Sequence, residues 1–111
     1  MAKQKIKQDL RLVRIYLCEK ERFHGRPLTE MIIDKARELK LAGAAVIKGI
    51  LGFGASRHMH SAKILELSED LPMVIEIADT QDKVNPLLEY LDEVQPDGLI
   101  TVETVEGIVY R

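Results

Sequence analysis

Ala44-Ala45-Val46-Ile47-Lys48-Gly49-Ile50-Leu51 runs directly into Gly52-Phe53-Gly54-Ala55-Ser56-Arg57-His58-Met59-His60. An apolar run of strand length therefore stops at two glycines and passes into a cationic loop. The next strong apolar run is Met73-Val74-Ile75-Glu76-Ile77-Ala78. Only the short piece Ile64-Leu65-Glu66-Leu67, broken by Ser68-Glu69-Asp70, lies between them. Two strands thus follow one another through a loop, and the segments on either side decide the rest of the architecture.

Upstream, Leu28, Met31, Ile32, Ala36 and Leu39 recur at helical spacing behind Pro27, a favoured residue at a helix start. Gly43 is expected to close that helix in a left-handed cap. Before it, Leu10 to Cys18 reads as a strand covered in part on both faces, and Glu19 to Pro27 as a polar loop. Downstream, Val84, Leu87, Leu88, Leu91 and Val94 predict a second amphipathic helix, with Asp79, Thr80 and Asp82 as N-cap candidates. Pro86 is expected in its first turn or at its start. Pro96-Asp97-Gly98 is a turn, Leu99 to Val102 a fourth strand, and Gly107 to Tyr110 an additional terminal strand. The order is β-α-β-β-α-β, an α+β ferredoxin-like fold with an antiparallel sheet.

Chain direction then brings three loops to one edge of the sheet: Glu19–Pro27, Gly52–Lys63 and Gln95–Gly98. The glycines and histidines of the opening stretch meet the other two loops there by topology alone.

The chain has 111 residues, 46% of them apolar and 31% charged, with a net charge of −2. That length suits one small domain, 10–111, behind a polar, lysine-rich tail, 1–9, that is expected to be flexible and frayed. The near-neutral charge gives no general case for nucleic acid. No run approaches the roughly 20 apolar residues of a membrane span, and no apolar core follows the basic N-terminus. A cytoplasmic protein without membrane insertion is expected. Residues 1–63 carry 14 basic and 6 acidic groups, and residues 64–111 carry 2 and 12. Either the two halves interleave, or a basic loop of one copy meets an acidic surface of another. Cys18 stands alone, which excludes an internal disulfide, and is expected to be a buried small hydrophobe.

The candidate site residues follow from the opening stretch. Gly52 and Gly54 would let backbone N–H groups approach a ligand. Phe53 would pack inside the monomer, across a subunit boundary or beside a flat ring. Arg57 can grip two phosphate oxygens at once. His58 and His60, two apart, share one face of an extended segment and could donate to phosphate or ligate a metal. A metal would need His24, a carboxylate or another subunit to complete its shell. Lys20 and Arg26, on the first loop, add positive charge, and the carboxylates Glu19 and Glu21 lie on the same loop. No Ser/His/Asp order and no phosphate-loop lysine motif suggests a reaction, so no catalytic residue is assigned and an enzyme is not expected.

Several of these residues resemble the PII nitrogen-signalling proteins: Gly52-Phe53-Gly54, then Asp70-Leu71-Pro72-Met73-Val74-Ile75-Glu76-Ile77, then Asp97-Gly98 before Leu99-Ile100-Thr101-Val102. Ile15-Tyr16-Leu17, Glu19-Lys20, Gly25-Arg26-Pro27-Leu28, Gly49-Ile50-Leu51-Gly52-Phe53-Gly54 and Arg57-His58-Met59-His60 are more similar still to a PII-like group, the domain of unknown function 190 family. The resemblance spans residues 10 to 110. It implies a homotrimer that binds an adenine nucleotide between subunits and signals to an effector protein through the loop after Gly52. It also implies a phosphate contact at Gly98. The loop from Gly54 to Leu71 is much shorter than in PII and contains no tyrosine, so the usual uridylylation site is absent. Leu99 replaces the lysine that follows the PII glycine, and the paired arginines near the PII C-terminus have no clear match. The resemblance therefore implies AMP or ADP rather than ATP as ligand, and does not support nitrogen-status signalling. The alternative is a metal-binding trimer of the CutA type, which shares the architecture and would use His58 and His60.

Overall fold

The computed structural model describes residues 2–53, 60–61 and 71–111, with His60 and Ser61 described by their backbone. β1 (Lys5–Cys18) leads to a small hairpin of β2 (Arg22–Phe23) and β3 (Arg26–Pro27). Then come α1 (Leu28–Glu38), β4 (Ala44–Lys48), the short β5 (Leu51–Gly52) and β6 (His60–Ser61), β7 (Pro72–Asp79), α2 (Gln81–Val94) and β8 (Ile100–Tyr110). The main sheet has the order β4-β7-β1-β8. Every neighbouring pair is antiparallel, with Val46 opposite Ile75, Ile75 opposite Ile15 and Ile15 opposite Ile100. This is the expected ferredoxin-like fold.

Alternation along the strands separates two faces. Val13, Ile15, Leu17, Ile75 and Ile77 point towards the helices and are buried with Leu28, Ile32 and Ala36 of α1 and Val84, Leu87, Leu91 and Val94 of α2. The residues between them form the open face. At its centre the Arg14 Nε donates to Glu76 Oε2 at 2.9 Å and its Nη1 to Glu103 Oε1 at 2.7 Å. Bonding to Glu76, then to Glu103, raises the guanidinium above its already high ordinary value. The basic and acidic halves of the chain thus interleave. β1, from the first half, lies between β7 and β8 of the second, and their charges meet within one copy.

Several expectations need correction. The tail 1–9 is not frayed throughout, because β1 begins at Lys5 and pairs with β8 from Lys5↔Tyr110 onwards. The additional terminal strand is the far end of β8 itself. Backbone groups of the polar segment find partners there, and Gln4 and Arg111 extend the ladder by exchanging N–H···O bonds of 3.1 and 3.0 Å. The second strand is shorter than Ala44 to Leu51, since Leu51 and Gly52 leave the main sheet to pair with Ser61 and His60. The loop Glu19–Pro27 is a tight hairpin, with positive φ at His24 (49°) and Gly25 (81°), as a type I′ turn requires.

Gly43 does not close α1. Lys40 takes the left-handed position at φ 58°. Its N–H bonds to the Arg37 carbonyl and that of Leu41 to the Ala36 carbonyl, the paired bonds of a Schellman ending. Helix length and the burial of Ala36 set this stop, three residues before the glycine. In α2 the N-cap is Thr80, without a side-chain cap bond. Asp79 instead accepts the Thr80 N–H at 2.7 Å and the Ala42 N–H at 2.9 Å, tying the α1–β4 connection to the start of α2. Pro86 stands in the second turn, neither in the first nor at the start, because α2 already begins at Gln81, which brings Val84 into the buried face ahead of the proline. It leaves the Asp82 carbonyl without its helical donor.

Candidate functional site

β1 and β4 both pair antiparallel with β7, so they run parallel and end at the same edge, where β7 and β8 begin. Three connections meet at that edge, as chain direction predicts. They enclose a cleft of about 790 Å³. The end of β1 contributes Tyr16, Leu17 and Cys18, and the turn after it Lys20 and Glu21. Ile47, Gly49, Leu51, Gly52 and Phe53 form the opposite wall, and Pro72, Met73 and Val74 the floor. Asp97, Gly98 and Leu99 close the third side. The lining is chiefly apolar, and its described charged groups are Lys20, Glu21 and Asp97. Leu51, Phe53 and Leu99 are each at least 60% exposed at its rim.

Backbone bonds set the shape of this cleft. Glu19 N–H donates to the Leu71 carbonyl at 2.8 Å and Gly49 N–H to the Pro72 carbonyl at 2.7 Å, fixing the start of β7 to both walls. Tyr16 N–H donates to the Leu99 carbonyl at 2.9 Å. Across the rim, Lys48 Nζ pairs with Glu19 Oε2 at 2.6 Å. Glu21 Oε2 accepts the Asp97 N–H at 2.8 Å and joins the first loop to the third.

Of the residues singled out in the sequence, Gly52, Phe53 and Gly98 line the cleft together. Phe53 is 64% exposed, so it is no core residue of the single chain. Gly98 has a clear steric role: a Cβ there would lie 1.5 Å from the Tyr16 carbonyl oxygen. Only glycine lets the turn pass so close to β1. Arg26 does not join the lining, and its guanidinium pairs with Asp34 at 3.5 Å. Lys20 does join it. The His60 backbone lies opposite Gly52 in the β5–β6 ladder, which brings the two ends of that loop together. Gly54, Arg57, His58 and the His60 side chain lie outside the described residues. Among the described residues no group of three His, Cys, Asp or Glu side chains could hold a metal ion. Cys18 is half-buried at the cleft rather than in the core.

Tyr16, Ile47 and Met73 were not legible as lining residues, and Glu21 and Asp97 only as members of the converging loops. Tyr16 and Ile47 carry the one usable signal, since Tyr16 alternates with buried Ile15 and both lie on strands that end at the loop edge. The role of Glu21 depends on a contact 76 residues away in sequence.

Comparison with known proteins shows the family and the fold of the chain. The DUF190 family model, described as an uncharacterized ACR, matches residues 10–107. A UPF0166 protein of Aquifex aeolicus is 37% identical over 98 residues, covering 88% of this chain and 92% of its own. Among solved structures, CPII of Thiomonas intermedia K12, a nitrogen regulatory PII-like protein bound to ADP, AMP and bicarbonate, superposes with a TM-score of 0.62 at 16% identity. That match covers 92% of this chain and 96% of CPII. CutA of Synechococcus elongatus PCC7942 gives 0.57 at 12% identity over 95% of this chain and 83% of CutA.

Proposed function

The chain belongs to the DUF190 family and has a PII-like fold, and from that premise we propose a trimeric regulatory protein that binds AMP or ADP between subunits and signals to an effector through the 52–63 loop. The observation that carries this reading is the cleft where the three loops meet. Its volume, about 790 Å³, is within the range of small-molecule sites. Apolar walls of Tyr16, Ile47, Phe53 and Leu99 suit a purine ring. The cationic groups suited to phosphate, Arg57, His58 and His60, follow directly on Gly52-Phe53-Gly54 along the chain. The exposed apolar rim is what a neighbouring subunit would cover. CPII, of the same fold, is bound to ADP and AMP.

Signalling follows if the nucleotide favours one arrangement of the 52–63 loop and the effector distinguishes it from the others. No helix among the described residues is long and apolar enough to cross a membrane. Binding without turnover is the expected behaviour.

Calorimetry with AMP, ADP and ATP, alongside light scattering of the native protein, tests the reading. The expected result is one nucleotide per subunit, AMP or ADP tighter than ATP, and a mass three times that of the 12.6 kDa chain. Arg57→Ala and Gly54→Val should each weaken binding at least tenfold. No binding of any adenine nucleotide overturns the reading, as does binding that both variants leave unchanged. Stoichiometric metal lost in His60→Ala would favour the CutA type instead.

A further inference from the structure

Glu21 uses three of its polar groups to hold separate parts of the cleft. Its N–H donates to the Cys18 carbonyl at 3.1 Å and turns the chain after β1. Its carbonyl accepts the Leu28 N–H at 2.9 Å, the first amide of α1, which has no partner within the helix. Its carboxylate reaches the third loop, where Oε2 accepts the Asp97 N–H at 2.8 Å. Asp97 immediately precedes Gly98, whose backbone abuts the Tyr16 carbonyl too closely for any side chain. The 97–99 wall is therefore held from both sides, by backbone packing on β1 and by one carboxylate from the first loop. The Asp97 N–H is a link between these loops that side-chain chemistry controls.

From this geometry we infer that Glu21 is a positioning residue of the cleft: it clamps the 97–99 turn against the first loop and sets the width of the space a nucleotide would enter. The inference rests on the nucleotide reading for its ligand, and the clamp itself does not depend on it. A bond from a backbone N–H to a carboxylate is charge-assisted and stronger than one to a neutral acceptor. The clamp needs only an acceptor oxygen, however, so the amide of Gln can preserve it. Ala cannot.

Glu21→Ala and Glu21→Gln, made in the full chain, separate the possibilities. Hydrogen exchange at the Asp97 amide is measured by NMR, together with the thermal midpoint and the AMP dissociation constant. Glu21→Ala should speed Asp97 exchange about tenfold and weaken AMP by a similar factor, with the thermal midpoint nearly unchanged. Glu21→Gln should keep both quantities within about threefold of wild type. Unchanged Asp97 exchange in Glu21→Ala overturns the clamp. So does an equal loss of AMP affinity in both variants with Asp97 still protected, which would mark a charge contact with the ligand. If wild type binds no AMP, the nucleotide reading falls, and the exchange comparison still decides the clamp.

Discussion

The two faces of the main sheet are made by alternate residues of the same strands, yet they have opposite fates. Ile15 is fully buried while Tyr16, the next residue, is 38% exposed. Ile75 is fully buried while its neighbour Glu76 reaches Arg14 on the open face. One face is closed by α1 and α2 and supplies the core. The other keeps exposed apolar groups such as Ile47 around an internally paired charge network. The core of the single chain is thus completed on one side, and exposed apolar groups remain on the other side and at the loop edge.

The largest test of that contrast is Ile15→Ala against Tyr16→Ala. Removing Ile15 atoms from a filled core should cost roughly 2–5 kcal/mol at any protein concentration. Tyr16→Ala should cost less, with an effect that depends on protein concentration if its face is covered in the proposed trimer. Denaturant titrations at two concentrations provide the check. Equal and concentration-independent losses would erase the distinction between the faces.

A second test compares Gly98→Ala with Gly43→Ala. At Gly98 the added carbon meets backbone that must move, at a cost of about 2–4 kcal/mol and with distortion of the cleft. At Gly43 a Cβ meets nothing within 4 Å and the backbone needs no positive φ. The second variant should stay within about 0.5 kcal/mol of wild type or gain slightly. Thermal denaturation of the pair would show whether the cleft edge is as tightly fixed as the geometry indicates.

The smallest effect probes the layer that covers the closed face. Lys40 holds a left-handed conformation at the end of α1. Lys40→Gly should relieve about 1 kcal/mol of backbone strain and raise the thermal midpoint without touching the open face. A fall in stability would mean that the Lys40 side chain contributes more than its backbone costs.

Helical spacing from Leu28 to Leu39 and from Val84 to Val94 identified both helices before any coordinates, because burial on one side of a helix imposes that period. Chain direction alone brought the three loops to one edge. The lysine-rich start was read as a tail because polar residues give no burial signal, although backbone pairing with residues 106–110 holds it in β1. The place of Arg26 on the first loop was legible, and its surface pairing with Asp34 was not. Glu21 could be placed on the converging first loop, but its tie to the third loop could not be read, since its partner is a backbone amide.

The amino-acid sequence by itself determined the order of elements, the two amphipathic helices, the core and the edge where a ligand site would form. These follow from periodicity and chain direction, which are local or topological properties. Tertiary structure alone decided that Arg14 joins Glu76 and Glu103, that Lys40 rather than Gly43 ends α1, and that Gly98 is pressed against Tyr16. It also decided that a carboxylate ties two loops of the cleft together. Such contacts join residues distant in sequence, and they depend on register and side-chain reach that no local pattern encodes.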